Sequence, residues 1–208
     1  MHKALIVDDH PVIRLAVRML LENKGYKVVG ETGDAAGAIQ QARETSPDVV
    51  ILDIGLPGVD GLEVIDRLKR LDHPPRILVL TAQEPALYSK RCQQAGAAAF
   101  VRKGEDLEEL LGALRAVMSG YSCFPDLMNS PRTRSRKLHS EEQLFSTLSN
   151  REMAVLEQLA KGLSNNAISE VMHLSPKTIS TYKTRIMEKL QVNSLVEMVD
   201  MAKRLSPI

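Results

Sequence analysis

Five short apolar segments alternate with longer amphipathic segments through the first 119 residues of the chain. The central one, Asp48–Leu52, is apolar and mostly β-branched after its first residue, which is typical of a strand buried on both faces. The segment Val12–Glu22 instead carries apolar residues at helical spacing, and Gly25, a residue type that commonly ends helices, follows it. This alternation predicts a five-stranded parallel sheet covered by helices on both faces. The predicted strands are Ala4–Val7, Tyr26–Glu31, Asp48–Leu52, Arg76–Leu80 and Ala98–Val101, and the predicted helices are Val12–Glu22, Ala35–Arg43, Leu62–Leu71, Ala86–Ala95 and Leu107–Ser119.

A change of pattern after residue 119 divides the chain. Helical and strand periodicity are lost over residues 120–148, which contain Pro125, Pro131 and a basic run from Arg132 to Lys137. We interpret this stretch as a linker, in which Glu141–Phe145 has the composition of a short helix. The basic run is explained more simply by solvation than by contact with DNA phosphates. The predicted organisation is a first domain over residues 1–119, a linker over 120–145 and a second domain over 146–208.

The C-terminal segment has an entirely helical pattern. Four serines each precede an amphipathic run and fit helix N-caps, two of them with a glutamate three residues later and one followed by Pro176 at the first helical position. These serines are Ser149, Ser164, Ser175 and Ser194, and the helices after them are Asn150–Lys161, Asn165–Met172, Lys177–Leu190 and Leu195 to about Arg204. Four short capped helices predict a small all-α domain.

The composition is that of a globular protein, with 44% hydrophobic and 25% charged residues. No apolar run approaches the roughly 20 residues that a membrane span needs, and the N-terminus lacks a signal-peptide pattern, so we expect a cytoplasmic protein without a membrane partner. Cys92 and Cys123 lack CxxC spacing and are expected to be reduced thiols. Residues 1–119 carry 15 Lys and Arg against 17 Asp and Glu, whereas residues 149–208 carry 8 against 6. The mild positive excess at the C-terminal end permits nucleic-acid binding there.

Polar residues stand at the ends of four predicted strands. Asp8 and Asp9 follow the first strand, Asp53 the third, Thr81 the fourth and Lys103 the fifth. Each residue alone is explained by a turn, a helix cap or a solvated charge. Ligands of open parallel sheets, however, bind at the carboxyl ends of the strands near a topological switch point. Five such residues at one edge therefore predict a single site for phosphoryl chemistry.

The residue types of this predicted site suit a particular reaction. Three neighbouring carboxylates repel one another and favour a hard divalent cation, for which Mg²⁺ is the natural candidate. With the cation screening their charge, one carboxylate can act as a nucleophile toward phosphorus, and Asp53 is favoured because it ends the central strand. Lys103 can pair with the incoming phosphoryl oxygens, and the Thr81 hydroxyl can donate a hydrogen bond to one of them.

Four motifs carry a family resemblance over this region. IVDDHP, VVILDIGLPGVDG, ILVLTA and FVRKG, in this order and spacing, resemble the receiver domain of two-component response regulators. The resemblance implies a flavodoxin-like α/β fold and a sensor histidine kinase that donates a phosphoryl group to Asp53. Phe100 is implied as a switch residue but equally fits an ordinary core position, and Gly104 replaces the proline that many receivers carry after the lysine. The residue roles implied are Mg²⁺ held by Asp8, Asp9, Asp53 and the backbone carbonyl of Gly55, and a switch pair formed by Thr81 and Phe100.

The C-terminal segment predicts a helix-turn-helix. Asn165–Met172 and Lys177–Leu190 are separated by the short turn His173–Pro176, and in this motif the second helix enters the major groove. Its apolar residues are expected to face the domain core; they are Ile179, Tyr182, Ile186 and Leu190. Its opposite face carries cationic and hydroxyl side chains that suit phosphates and base edges, namely Lys177, Ser180, Thr181, Lys183, Thr184 and Arg185. Periodicity alone fits a merely solvated polar face equally well.

A second resemblance favours DNA binding. Residues 146–206 resemble the LuxR/NarL-type helix-turn-helix, and the whole chain resembles the NarL/FixJ family, with SNREM, STYKTRI and LVEMVDMAKR most similar to BvgA- and EvgA-type regulators. The resemblance makes Lys177–Leu190 the recognition helix. Its implied base contacts are Ser180, Thr181 and Thr184, its implied phosphate contacts are Lys177, Lys183, Arg185 and Lys189, and the implied dimerisation residues of the last helix are Leu195 and Val199. The partners implied are promoter half-sites in double-stranded DNA, a second copy of the chain, a sensor kinase, with a hybrid kinase as one candidate, and RNA polymerase.

The sequence therefore predicts a phosphorylation-dependent DNA-binding transcriptional regulator that is not an enzyme. Phosphorylation would add about −1.5 to −2 charges to the acidic site, draw in Thr81 and Lys103, and promote dimerisation and promoter binding. Three alternatives stay open. A metal-dependent phosphatase would also use Asp53 as nucleophile, but we find no dedicated second acid or base for it. The receiver could also serve as a passive dimerisation module, while a flavodoxin-like nucleotide binder would need a glycine-rich loop after the first strand, which is absent.

Overall fold

The apolar segments of the N-terminal part form one parallel sheet in the computed structural model of the chain, which describes residues 1–57, 59–104, 107–125, 141 and 144–205. Every predicted strand and helix of this part is present, within two residues of its predicted bounds. The strands are β1 (Lys3–Val7), β2 (Lys27–Thr32), β3 (Val49–Leu52), β4 (Arg76–Thr81) and β5 (Ala99–Arg102), and the helices are α1 (Pro11–Asn23), α2 (Ala35–Thr45), α3 (Gly61–Lys69), α4 (Pro85–Ala95) and α5 (Leu107–Met118). The predicted α/β architecture is confirmed.

The strand order is β2-β1-β3-β4-β5, and all four pairings are parallel. The chain leaves β1 toward β2 on one side and returns to β3 on the other, so the order reverses between β1 and β3. At such a switch point the two following loops diverge and leave a crevice at the carboxyl edge of the sheet. Every residue of β3 is buried, as the apolar run Val49–Leu52 predicts for a strand covered on both faces.

The helices divide between the two faces of the sheet. Alternate strand residues such as Ile6 and Ile51 pack with Val17 and Leu21 of α1 and Leu114 of α5 in one buried cluster. The intervening strand residues point to the opposite face because side chains alternate along a strand. On that face α2, α3 and α4 lie next to one another. Helices therefore cover both faces of the sheet and leave the polar residues at its carboxyl edge.

The described part of the C-terminal unit contains the four helices that the serine caps predict. They are α6 (Asn150–Ala160), α7 (Asn165–Met172), α8 (Pro176–Leu190) and α9 (Leu195–Leu205). Ser149, Ser164 and Ser175 each accept a hydrogen bond from the backbone amide three residues later. Residues of α6 through α9 share a buried apolar interior that includes Met153, Leu156, Ile168, Ile179, Ile186, Leu190 and Met198.

The two compact units comprise Met1–Asp126 and Leu127–Ile208. Residues 120–125 lie in the first unit, and the helical residues 141 and 144–146 lie in the second, so both ends of the predicted linker belong to the units they adjoin. The basic run Arg132–Lys137 lies outside the described residues. Among the described residues, no helix combines the length and apolar character required to cross a bilayer.

Candidate functional site

The carboxylates of Asp8 and Asp53 are positioned by backbone hydrogen bonds that extend the strand pairing of the sheet. The Asp53 amide donates to the Val7 carbonyl at 2.8 Å, and the Asp8 amide donates to the Thr32 carbonyl at 3.0 Å. Both side chains emerge at the switch point, and both residues are almost fully buried, with Asp8 2% and Asp53 4% exposed. Two buried carboxylates at one edge require compensation by positive charge.

Lys103 supplies that charge. Its amide donates to the Thr81 carbonyl at 2.7 Å, which extends the pairing of β4 with β5 and fixes the start of its side chain. Its Nζ lies 2.5 Å from Asp53 Oδ2 and 2.7 Å from Asp8 Oδ2. Burial disfavours the charged ammonium, but the hydrogen bonds to Asp53 and Asp8 outweigh burial and raise the pKa of Lys103. The lysine therefore stays protonated between the two carboxylates.

The other oxygen of Asp53 is held by the loop that follows it. Asp53 Oδ1 accepts a hydrogen bond from the Gly55 amide at 2.8 Å. The loop is packed closely against the start of α3, since a Cβ on Gly61 would lie 2.4 Å from the Cα of Ile54. Glycine at position 61 thus permits the close approach that fixes the loop carrying Gly55 beside Asp53.

Asp9 and His10 complete the acidic pocket, which we define as Asp8, Asp9, His10 and Asp53. One potential ligand atom from each residue lies within 4.8 Å of all the others. Asp9 Oδ1 is buried without a hydrogen bond, although His10 Nδ1 lies 2.7 Å away. A carboxylate oxygen left unsatisfied among other carboxylates fits a hard divalent cation, which would supply its missing partner. His10 was not among the predicted site residues, although it directly follows two strand-end aspartates in the sequence.

The predicted recognition helix, α8, buries its apolar stripe and exposes most of its polar face. Ile179, Ile186 and Leu190 are buried, while Tyr182 is half-buried. On the predicted DNA-facing side, Lys183 is half-buried, and the exposed residues are Lys177, Ser180, Thr181, Thr184 and Arg185.

Lys189 lies apart from that exposed side. Its Nζ donates to Glu152 Oε2 at 2.7 Å and to the Thr147 carbonyl at 3.2 Å. Glu152 Oε2 also accepts from the Ser149 amide at 2.6 Å and completes the capping box of α6. The structure thus engages Lys189 inside the helical unit, whereas the resemblance assigned it a phosphate contact. Spacing on one helix cannot reveal a partner 37 residues away.

Two domain families match the chain. Residues 4–115 match the response regulator receiver domain, and residues 146–202 match the luxR family of bacterial regulatory proteins. The chain belongs to the NarL/FixJ-type response regulators. The predicted family and fold class are confirmed.

Relatives and solved structures span nearly the whole response regulator. The Bordetella pertussis virulence-factor transcription regulator BvgA is 51% identical over 203 residues, which cover 98% of this chain and 97% of BvgA. The DNA-binding transcriptional activator EvgA of Escherichia coli is 36% identical over 201 residues, 97% of each chain. RcsB of Salmonella enterica serovar Typhimurium has been solved bound to the promoter P1flhDC in the presence of the phosphomimetic BeF₃⁻. It is 27% identical to this chain with a TM-score of 0.69, and the match covers 100% of this chain and 99% of RcsB. The response regulator is therefore a DNA-binding transcription regulator, of a family typically controlled by phosphorylation.

The predicted switch residues of the response regulator are both buried. Thr81 is fully buried, and its Oγ1 accepts a hydrogen bond from the Gln83 amide at 3.3 Å. Phe100 is 2% exposed, and strand alternation turns its ring to the face opposite the buried neighbours Ala99 and Val101. The ring is therefore already inside the fold.

The residues that follow α5 are attached to β5 beside Phe100. The Phe100 amide donates to the Cys123 carbonyl at 2.9 Å, and the Cys123 amide donates to the Ala98 carbonyl at 2.9 Å. A parallel bridge joins Ala99 to Cys123. The sequence placed this segment in the linker, because a single bridge leaves no periodic pattern. The first residues after the receiver helices thus contact the backbone of the predicted switch residue directly.

The start of α9 presents apolar side chains to solvent. Leu195 is 38% exposed, Val199 is half-buried, and Val196, which the sequence analysis did not single out, is 71% exposed. At the other end of the helix, Arg204 donates to the buried carboxylate of Glu141 at 2.9 Å. The helical unit therefore reaches N-terminal of residue 146, where the sequence suggested its start.

Proposed function

We propose that Asp53 is the phosphoryl acceptor of this response regulator. A carboxylate oxygen of Asp53 would attack the phosphorus of a phosphohistidine; the P–O bond forms, the P–N bond breaks, and the imidazole leaves with a proton from solvent. The observation that carries the proposal is the pairing of Asp53 with Lys103 at 2.5 Å, next to Asp8 at the switch point. Asp8 is equally buried and shares the same cation, but Asp53 ends the central strand β3 and its Oδ1 also accepts a hydrogen bond from the Gly55 amide.

Asp8, Asp9, Asp53 and the backbone carbonyl of Gly55 would hold Mg²⁺. When bound, the ion would neutralise the carboxylates and draw the phosphoryl oxygens toward them. The unsatisfied Oδ1 of Asp9 supports this assignment. Lys103 would then transfer its hydrogen bonds from the carboxylates to a phosphoryl oxygen. Phosphorylation removes the negative charge of the Asp53 carboxylate and places negative charge on the phosphoryl oxygens instead.

The signal would leave the site through Thr81 and Phe100. The Thr81 hydroxyl, whose oxygen now accepts from the Gln83 amide, would move to donate its hydrogen to a phosphoryl oxygen, and the space it vacates would allow the buried Phe100 ring to repack. Because the backbone of Phe100 is bonded to Cys123, this movement would reach the segment that leads out of the receiver. We infer that the linker responds first and the DNA-binding unit second.

The C-terminal unit would bind promoter half-sites as a homodimer. Ser180, Thr181 and Thr184 would face bases, and Lys177, Lys183 and Arg185 would reach phosphates. Since Lys189 is engaged by Glu152, we propose that it supports α6 and α8 instead of contacting a phosphate. Leu195 and Val199, joined by the more exposed Val196, would pair two helical units, because an apolar patch at a helix start gains by being covered.

The domain limits and partners follow from this assignment. We propose a receiver over residues 1–119, a connecting region over 120–145 whose described ends are attached to the units that they adjoin, and a DNA-binding domain over 146–208. The phosphoryl donor would be a sensor histidine kinase, with a hybrid kinase of the phosphorelay type as one candidate, and RNA polymerase would be contacted at the promoter. The protein would act in the cytoplasm, where its DNA lies, as a regulator without turnover of its own.

Intact mass and DNA footprinting test the proposal together. The full chain is treated with acetyl phosphate and Mg²⁺, and Asp53→Asn is compared with the control Asp72→Asn, which removes an exposed carboxylate beyond α3. We expect one added phosphoryl group and stronger promoter protection for the wild type and the control, and neither for Asp53→Asn. Equal protection by all three proteins with and without phosphorylation would refute the switch.

A further inference from the structure

The exposed hydroxyl groups of α8 donate their hydrogen bonds to backbone carbonyls within the helix. Ser180 Oγ donates to the Pro176 carbonyl at 3.1 Å, Thr181 Oγ1 to the Lys177 carbonyl at 3.1 Å, and Thr184 Oγ1 to the Ser180 carbonyl at 3.2 Å. A hydroxyl has one hydrogen atom and two acceptor lone pairs. Each of these groups therefore faces solvent as an acceptor, and each threonine also has its methyl group fixed by the same bond.

Ser180 differs from the two threonines because its hydroxyl oxygen accepts a hydrogen bond from a neighbouring helix. Asn165 Nδ2 at the start of α7 donates to Ser180 Oγ at 3.1 Å. This bond uses one of the two lone pairs of Ser180 and ties α7 to α8. Thr181 and Thr184 keep their lone pairs for an external donor and lie on the same face of the helix, three residues or about 4.5 Å apart along its axis.

A side chain that offers an acceptor and a methyl group matches one base pair better than the others. In the major groove the available donors are adenine N6 and cytosine N4, and thymine alone carries a 5-methyl group. An A·T pair therefore presents both a donor and a methyl, a C·G pair presents only the donor, and guanine presents only acceptors. The axial separation of the two threonines is about one third larger than the rise between neighbouring base pairs, about 3.4 Å, so side chains on one face can reach neighbouring pairs.

We propose that Thr181 and Thr184 read two neighbouring A·T pairs through the thymine methyl and adenine N6, so that these positions of the half-site are A·T. The inference rests on the proposed function, because it assumes that α8 occupies the major groove. The cations on the same face, Lys177 and Arg185, carry donors and no acceptors, and they would bind phosphates or guanine at other positions.

The test starts from DNA that the protein selects itself. The full chain, treated with acetyl phosphate and Mg²⁺, selects duplexes from a random library, and affinities are then measured for selected duplexes carrying single-atom changes. Deoxyuridine in place of thymidine removes the methyl, and purine in place of adenine removes N6. We expect each deoxyuridine at the two positions to weaken binding about fourfold, the value of one buried methyl group.

Matched variants separate the two contacts. Thr181→Ser keeps the acceptor and loses the methyl, so the deoxyuridine penalty should vanish while the purine penalty remains. Thr181→Val keeps the methyl and loses the acceptor, so the penalties should reverse; the same pair of variants applies to Thr184. The control Thr178→Ser changes a threonine that pairs with Ser175 at the helix start and should leave both penalties unchanged.

The outcomes distinguish this inference from the proposed function. Selected half-sites with G·C at the two positions, or deoxyuridine penalties below twofold, would overturn the base assignment while leaving DNA binding intact. A chain that selects no sequence at all would overturn both. Each variant must retain wild-type affinity for an unselected duplex at low salt, which shows that it is folded and that its phosphate contacts remain.

Discussion

Replacing Lys189 by methionine should destabilise the helical unit, because it leaves the buried carboxylate of Glu152 without its cation. The Glu152 side chain is 4% exposed and accepts from Lys189 at 2.7 Å, whereas the Lys189 side chain is 38% exposed. A hydrogen bond to a charged group contributes about 1.5–3 kcal/mol, and solvent around the lysine places this one near the lower end, so we expect a loss of about 1–2 kcal/mol. Methionine keeps the aliphatic stem, which limits the change to the ammonium.

The second arm of the experiment is Glu152→Gln, alone and combined with Lys189→Met. The amide can still accept from the Ser149 backbone but carries no charge, so Lys189→Met should cost about 1 kcal/mol less in this background. The matched control Lys183→Met removes a lysine from the same helix and should change the free energy of unfolding by less than about 0.5 kcal/mol.

Methionine methyl resonances report the unfolding of this unit within the full chain. Met153 and Met198 are both buried in it, so urea titrations of methyl-labelled protein give its free energy of unfolding directly. Strict additivity of the two single substitutions, within about 0.3 kcal/mol, would refute the reasoning, since it would mean that the two side chains do not interact.

The same pair predicts the acid limb of stability. Burial alone would raise the pKa of Glu152, but the hydrogen bonds from Lys189 and Ser149 outweigh it and hold the pKa below the ordinary value of 4.5. The stabilising contribution of the ionised carboxylate is therefore present above about pH 4.5 and is lost as the pH falls through the lower folded-state pKa. In Lys189→Met the folded-state pKa of Glu152 rises, so the loss of stability on acidification should be smaller, and in Glu152→Gln this pH dependence should disappear.

Three further predictions concern the signalling path. Lys103→Met should still allow Asp53 to gain a phosphoryl group in intact-mass measurements. It should abolish the rise in promoter affinity, because no ammonium group is present to bind the phosphoryl oxygen. An unchanged rise in promoter affinity would contradict the proposed role of Lys103. Phosphorylation should increase maleimide labelling of Cys123 by up to about 30-fold, which corresponds to the release of two backbone hydrogen bonds of about 1 kcal/mol each. Cys92 is the internal unreactive control, because it is buried and burial raises its pKa to about 12. Equal labelling of Cys123 in both states would rule out its release. Val196→Asp should abolish cooperative binding to paired half-sites in gel-shift assays while leaving single half-site affinity unchanged, and retained cooperativity would place the dimer contact elsewhere.

Local pattern was sufficient to predict every strand and helix of the receiver and the four capped helices. The strand-end aspartates were also predictable, because parallel strands bring their carboxyl ends to one edge whatever the details of packing. His10 and Val196 were not predicted, although each lies directly beside a predicted residue. The attachment of residues 120–125 to β5 was not predicted either, because one bridge produces no periodicity.

By itself the sequence determined the alternation of elements, the edge at which Asp8, Asp53 and Lys103 emerge, and the amphipathic direction of α8, since all of these follow from spacing along the chain. Tertiary structure alone decided which polar groups became partners. The bond from Lys189 to Glu152, that from Asn165 to Ser180 and the pairing of Phe100 with Cys123 join residues 15 to 37 positions apart. Such pairings depend on how buried surfaces meet, because a buried polar group takes whichever partner the packing brings within hydrogen-bonding distance.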